Sequence, residues 1–195
     1  MKYRLIRWLL QRSKAAQKDT EGATAIEFAI LAIPFFALIF GVIELAIVLF
    51  LSTSLTNAVS EAGRQIRIGN FQACSGDKTE IFKDLVCDSV ASIGNCQSRV
   101  RVDVRTGNSF RAISLTPPPE PNPSDGSIDA GSVATTTGGV PVVVRAVYYY
   151  KLILPAQLTR LETTRGSGVR KLSAATAFRN EPFSSAGTCP STSQS

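Results

Sequence analysis

A run of apolar residues from Ala25 to Leu51, broken only by Glu27, Pro34, Gly41 and Glu44, constrains this chain more than any other feature. Wound as an α-helix at about 1.5 Å per residue it would reach roughly 40 Å. That exceeds the ~30 Å hydrocarbon core of a bilayer. It is also too long for the apolar region of a secretory signal peptide, and no small-residue cleavage motif follows it. Lys2, Arg4, Arg7, Arg12, Lys14 and Lys18 precede it with only Asp19 and Glu21 in opposition, a balance of +4 out of a net +6. Ser52 to Asn57, on the other side, carries no basic residue. The asymmetry of basic residues predicts a cytoplasmic leader over 1–22 and a single pass over 23–51, with the rest of the chain on the far side of the membrane.

The positive charge sits mainly in that leader, so the folded part lacks the clustered basic face that nucleic acid requires. Histidine is absent, which removes the commonest general base and the commonest nitrogen ligand of zinc. No G-x-S-x-G, P-loop or metal-ligand cluster occurs, and Gly166-Ser167-Gly168 reads as a turn. The expectation is therefore a non-enzyme with no cofactor, no metal, no nucleic acid and no small-molecule substrate. Cys74, Cys87, Cys96 and Cys189 all follow the apolar run, which suits disulfides in an oxidising compartment. Four cysteines allow three connectivities. We favour Cys87–Cys96, which would staple the end of a helix to the strand after it, leaving Cys74–Cys189 to tie down the tail.

Beyond the apolar run, Leu51, Leu55, Ala58, Val59, Ala62 and Ile66 recur at helical spacing, so the helix should continue over 52–70 and stop near Gly69-Asn70. Residues 71–195 should then form an α+β domain. Asp77 to Ala91 reads as a short second helix with Ile81, Phe82, Leu85, Val86 and Val90 inward. Its acidic stripe, Asp77, Glu80, Asp84 and Asp88, reads as a solvated face rather than a calcium site, which would need loop oxygens as well. Three segments alternate with the period of a strand: 99–105, 142–153 and 171–179. They suggest a small antiparallel sheet of about three strands with one wet face, on which Arg99, Arg101, Asp103 and Arg105 would lie. The Tyr148-Tyr149-Tyr150 run is assigned to packing. Residues 116–139, opened by three prolines, should be a long, exposed, disordered loop.

Within the membrane run, Pro34 predicts a kink that a membrane helix tolerates. Ala37 and Gly41 form a small-xxx-small pair suited to close helix approach. Glu44 follows Glu27 by about 260° around the helix, so the two acids do not share a face. Glu44 is assigned to the outer interface or to a helix–helix contact. At the start of the run stands Gly22-Ala23-Thr24-Ala25-Ile26-Glu27-Phe28: a glycine ends the leader, and five residues later a carboxylate lies inside the apolar segment. An ionised carboxylate near lipid is costly and needs a counter-charge. Cutting after Gly22, which has no side chain to obstruct a narrow cleft, would create one in the α-amine of Ala23.

This junction resembles the processing site of type IV prepilin-like proteins. Glu61-Ala62-Gly63-Arg64-Gln65-Ile66-Arg67, the Cys87 and Cys96 pair, the 102–105 strand and Ala177-Phe178-Arg179-Asn180-Glu181-Pro182-Phe183 complete the resemblance. The family it points to is that of the TadE-like pseudopilins of tight-adherence (Flp) pilus systems. The resemblance implies a pilin-like layout, in which a long helix lies half in lipid and half on a domain. It implies cleavage by a prepilin peptidase at Gly22–Ala23, with Glu27 and Phe28 as recognition residues. Phe28, where major subunits often carry Tyr, points to a minor subunit. Partners would be the inner membrane, the peptidase, other pilin subunits and the inner-membrane pilus platform, with helix assembly using Glu27, Pro34, Ala37, Gly41 and Glu44. The function implied is pilus assembly for surface attachment, at the inner membrane with the domain in the periplasm, or in the pilus. The alternative is an uncleaved bitopic scaffold of the same machinery.

Overall fold

A computed structural model describes residues 20–90, 95–122, 126–155, 159–183 and 187–190, the side chains of 20–23 excepted. The leader expected over 1–22 therefore falls almost wholly outside the described residues. The chain divides into two units, Met1–Ile43 and Glu44–Ser195. One helix, α1, runs through Thr20–Arg67 and crosses that division. Pro34 lies inside it without ending it.

In the first unit the apolar side chains of α1 point outward on every side. Phe28 is 71 % exposed, and Ile30, Leu31, Ile33, Phe35, Phe36, Leu38 and Phe40 are exposed as well. A helix apolar around its whole circumference, with nothing packed upon it, is suited to lipid. Among the described residues α1 is the one helix long and apolar enough to cross a membrane.

In the second unit α1 becomes one-sided. Glu44, Val48, Leu51, Leu55, Ala58, Val59, Ala62 and Ile66 are buried, at alternating steps of three and four residues that keep one stripe facing a partner. The helix ends at Arg67, and Gly69 takes up a left-handed φ of +88° just beyond, a conformation glycine adopts without penalty. A single 3₁₀ turn over Phe71–Ala73 leads to α2, Lys78–Ser89. The Asp77 carboxylate caps α2 by accepting from the Thr79 N–H at 2.8 Å. Phe82 and Val86 drive its inner face into the core, where Phe82 meets Phe71 edge-on. The four-residue α3, Cys96–Arg99, precedes the sheet.

The sheet has four strands in the order β2-β1-β3-β4: β1 Val100–Thr106, β2 Gly131–Val133, β3 Pro141–Lys151 and β4 Val169–Arg179. The β1–β3 and β3–β4 pairs are antiparallel, and β2 runs parallel to β1. The sheet is therefore mixed, not the three-stranded antiparallel sheet expected, because a strand forms inside the Pro- and Ser-rich segment that composition assigned to loop. Three strands meet where alternation placed them. Val100, Val102, Val104, Val142, Val144, Ala146, Tyr148, Tyr150, Leu172 and Ala174 join the helical residues in one core.

The expected wet face is also corrected. Arg101 and Asp103 are buried, as are Val147 and Tyr149 on the same side of β3. The segment after β1 lies over them. Tyr149 donates its hydroxyl hydrogen to the Pro119 carbonyl at 2.8 Å, and Arg145 donates to the Thr116 carbonyl at 2.7 Å. Residues 116–139 are largely exposed on their outer side, but they form the lid of a second, polar layer.

Candidate functional site

Sequence reasoning marked two places, the junction at Gly22 and the helix that follows it. The Gly22–Ala23 bond lies in the first turn of α1. Glu27 and Phe28 lie one turn further on, and both are exposed. Glu27 has no hydrogen-bond or ion-pair partner among the described residues. Ala37 and Gly41 share a face of the same exposed span, and a methyl group built on Gly41 would meet no atom within 4 Å. These residues make an apolar rod with one carboxylate near its start.

Glu44 does not belong to that rod's outer surface. Only 2 % of it is exposed, and its Oε1 accepts the N–H groups of Ile153 at 2.6 Å and Leu154 at 3.2 Å. These two amides lie just past the end of β3, where the ladder with β4 has stopped. The carboxylate thus replaces the missing strand partner, and a buried N–H left without an acceptor would cost about 1–3 kcal/mol. The other oxygen of Glu44 and the hydroxyl of Tyr150 are both buried with no hydrogen-bond partner among the described residues. Burial first, and the Glu44 charge second, push the Tyr150 hydroxyl pKa up. Beyond the interface position expected of it, Glu44 has a role within its own chain: it clamps the end of β3. The signal was present, since Glu44 lies seven residues before Leu51 and so begins the inward stripe.

The opposite end of the α1 stripe explains the two sequence patterns that flank the domain. A methyl group on Gly63 would sit 2.9 Å from Thr176 Cγ2 and 3.1 Å from the Phe178 ring, so glycine lets α1 press against β4. Beside it, Arg64 pairs with Glu61 in solvent. The Arg67 carbonyl accepts the Glu181 N–H at 3.1 Å, while the Arg67 and Glu181 side chains form an ion pair at 3.2 Å. The Phe183 ring packs beneath Gly69. Asn180 is buried and donates to Thr136 Oγ1 and the Thr137 carbonyl, both at 2.9 Å. The motif after the membrane run and the motif closing the domain thus form one helix–sheet joint.

On the other face of the sheet, Asp103 is 1 % exposed and receives two guanidinium groups, Arg101 at 3.1 Å and Arg145 at 2.7 Å. Arg101 also contacts Asp129 in the covering segment. The Gly131 N–H, and next the Arg101 side chain, hold the Asp129 carboxyl below its usual range. Glu120 is held low by Lys171 and then by Thr164. Alternation alone could not reveal this layer, because a buried charge cluster has the same pattern as a solvated face.

Cys87 is bonded to Cys96 and Cys74 to Cys189, with Cα separations of 5.7 and 4.7 Å. Among the described residues no group of three or more His, Cys, Asp or Glu side chains converges as a metal site would require. An open groove of about 820 Å³ runs along the sheet end where β3 stops and β4 begins, with Arg99, Lys151 and Arg165 in its walls.

Residues 22–64 match the family model of the TadE-like protein. No curated protein and no solved structure matches the chain. The matched segment opens at Gly22, takes in the exposed apolar rod and the clamp at Glu44, and closes beside Gly63. Over that segment the chain is similar to the TadE-like family.

Proposed function

We propose that this protein is a processed minor pilin of a tight-adherence (Flp) pilus, a structural subunit rather than an enzyme. A prepilin peptidase removes residues 1–22, and the mature helix docks beside those of other subunits or of the inner-membrane platform. The observation that carries this reading is the Gly22 to Phe28 junction at the head of a helix with outward apolar side chains. The TadE-like match over residues 22–64 supports it. Glu27 lies exposed in that apolar surface, where a bare charge is unfavourable by about 2–3 kcal/mol or more. An α-amine at Ala23, on the same chain or a neighbour, supplies the missing partner and sets the register of packed helices. The basic leader keeps the N-terminus in the cytoplasm and the disulfide-bearing unit in the periplasm.

One observation favours the alternative of an uncleaved bitopic scaffold. Helix α1 begins at Thr20, so the bond after Gly22 lies in helical backbone that must unwind by a turn before a protease can hold it. Helix ends fray readily, which leaves cleavage accessible. Intact-mass measurement on the chain purified from its native membrane decides between the two. A product beginning at Ala23 supports the minor-pilin reading, and a chain retaining its leader supports the scaffold. A Gly22→Ala or Glu27→Ala variant that matures and assembles like the wild type would overturn the role given to the junction.

A further inference from the structure

The connection between β3 and β4 has no role in the reading above, yet its surface is unlike the rest of the domain. Ile153 is 73 % exposed, the most exposed large apolar side chain described in the second unit. It does not hang free: its N–H is held by Glu44, the residue at which the second unit begins. An exposed isoleucine is thus fixed where the chain passes from domain to apolar rod. Leu45, Leu49 and Phe50 on the adjoining turns of α1 are exposed too. Around this apolar edge the balance of charge is positive. Lys151, Arg160 and Arg165 are exposed, and none is paired with a carboxylate among the described residues. The one acid between Lys151 and Arg170, Glu162, accepts the Gly168 N–H. Glu120, on the far wall of the groove, is bound to Lys171.

We propose that the β3–β4 connection is a second membrane contact: Ile153 enters the interface of the leaflet and Lys151, Arg160 and Arg165 engage the phosphates of anionic phospholipid. The inference rests on the reading of α1 as a membrane span. The 20 residues of α1 from Thr24 to Ile43, which belong to the first unit, cover about 30 Å, the thickness of the hydrocarbon. Glu44 and everything hydrogen-bonded to it then lie at the headgroup level. There an apolar side chain flanked by basic groups is the usual composition of an interfacial element. The groove beside it, with Arg99, Lys151 and Arg165 in its walls, can receive a headgroup phosphate. A second copy of this chain is disfavoured as the occupant, because two such surfaces would set like charges against each other.

The test uses the full chain in nanodiscs, with its single tryptophan removed as Trp8→Phe and a reporter introduced as Ile153→Trp. In discs containing phosphatidylglycerol, the indole at position 153 should be quenched by shallowly brominated lipid and shielded from acrylamide. In purely zwitterionic discs, or in salt near 1 M, quenching should fall. Each of Lys151→Glu, Arg160→Glu and Arg165→Glu should weaken it by about five-fold or more. The salt and lipid arms need no charge variant, so misfolding cannot imitate the result. Full acrylamide access in every lipid overturns the proposal. Shielding that depends on protein-to-lipid ratio and not on lipid charge also overturns it, in favour of contact between copies. A parallel Phe28→Trp reporter reads the span itself. If brominated lipid quenches the indole at 28 but shallowly brominated lipid leaves that at 153 unquenched, only the loop contact falls; if neither is quenched, the membrane anchor falls with it.

Discussion

Helix α1 is one element with two kinds of surface. From Thr24 to Ile43 its apolar side chains are largely exposed, and the ring contacts of Phe36 with Phe35 and Phe40 lie within the helix itself. From Glu44 to Arg67 one face is committed to a core, and the other, apolar at Leu45, Leu49 and Phe50, then carries Ser, Thr, Asn and Gln with the exposed Glu61–Arg64 pair. Helical propensity does not distinguish the halves. The difference lies in what each apolar side chain is given to pack against: the second half has the domain core, and the first half has no buried apolar side chain among the described residues. Burial in the second half is what makes the domain a folded object. The first half adds nothing to that core, and its residues can change without the domain's fold noticing.

That contrast can be broken most forcefully at the tail. Replacing Cys74 and Cys189 by serine opens a loop with a sequence separation of 115. By the chain-entropy argument this should cost the second unit about 4–5 kcal/mol, read as a fall in the denaturant midpoint in detergent. Next comes a paired substitution. Phe82→Ala empties a fully buried site and should cost about 3–5 kcal/mol, whereas Phe28→Ala should leave the same unfolding transition unmoved. Equal shifts for the two phenylalanines would erase the distinction. Glu44→Ala, at the boundary, should cost about 2–3 kcal/mol by leaving the Ile153 and Leu154 amides unpaired. Glu44→Gln keeps an acceptor and should recover at least half of that loss.

The smallest effect expected is that of pH. Asp129 and Glu120 have depressed pKa values in the folded domain. Their stabilisation is therefore complete above the unfolded carboxylate values of about 4, and is lost as pH falls through the lower folded values. Both side chains are more than half exposed, so solvent screening leaves the contribution slight. Melting temperature followed from pH 7 to below about pH 4 should be flat and then dip modestly, less so in high salt. A rise in stability on acidification would contradict the covering role given to residues 116–139.

Much of the second unit was legible because its inner residues follow simple periods. The 51–66 stripe has the period of a helix, and the valines of β1 and β3 have the period of a strand. Both appear as buried in the core. Three features were not legible, each for a physical reason. Arg101 and Asp103 alternate with valine as solvent-facing residues do, and only tertiary contact with Arg145 and Asp129 makes them a buried network. Residues 131–133 form a strand because β1 offers a free edge, not because Gly-Ser-Val favours one. Glu44 was compared with the acid before it, when the comparison that mattered was with Leu51, one heptad later. At the junction, the residues Gly22, Glu27 and Phe28 are evident from their position at the polar–apolar border.

The helix is fastened to the sheet at both ends of its domain half, by Glu44 at the exit of β3 and by Arg67 at the exit of β4. A pull delivered along the rod therefore cannot peel the domain away one turn at a time. It must slide about 35 Å of interdigitated helix past the strands in shear, with every contact from Val48 to Ile66 loaded together. A helix fastened in this way fails mechanically all at once or not at all.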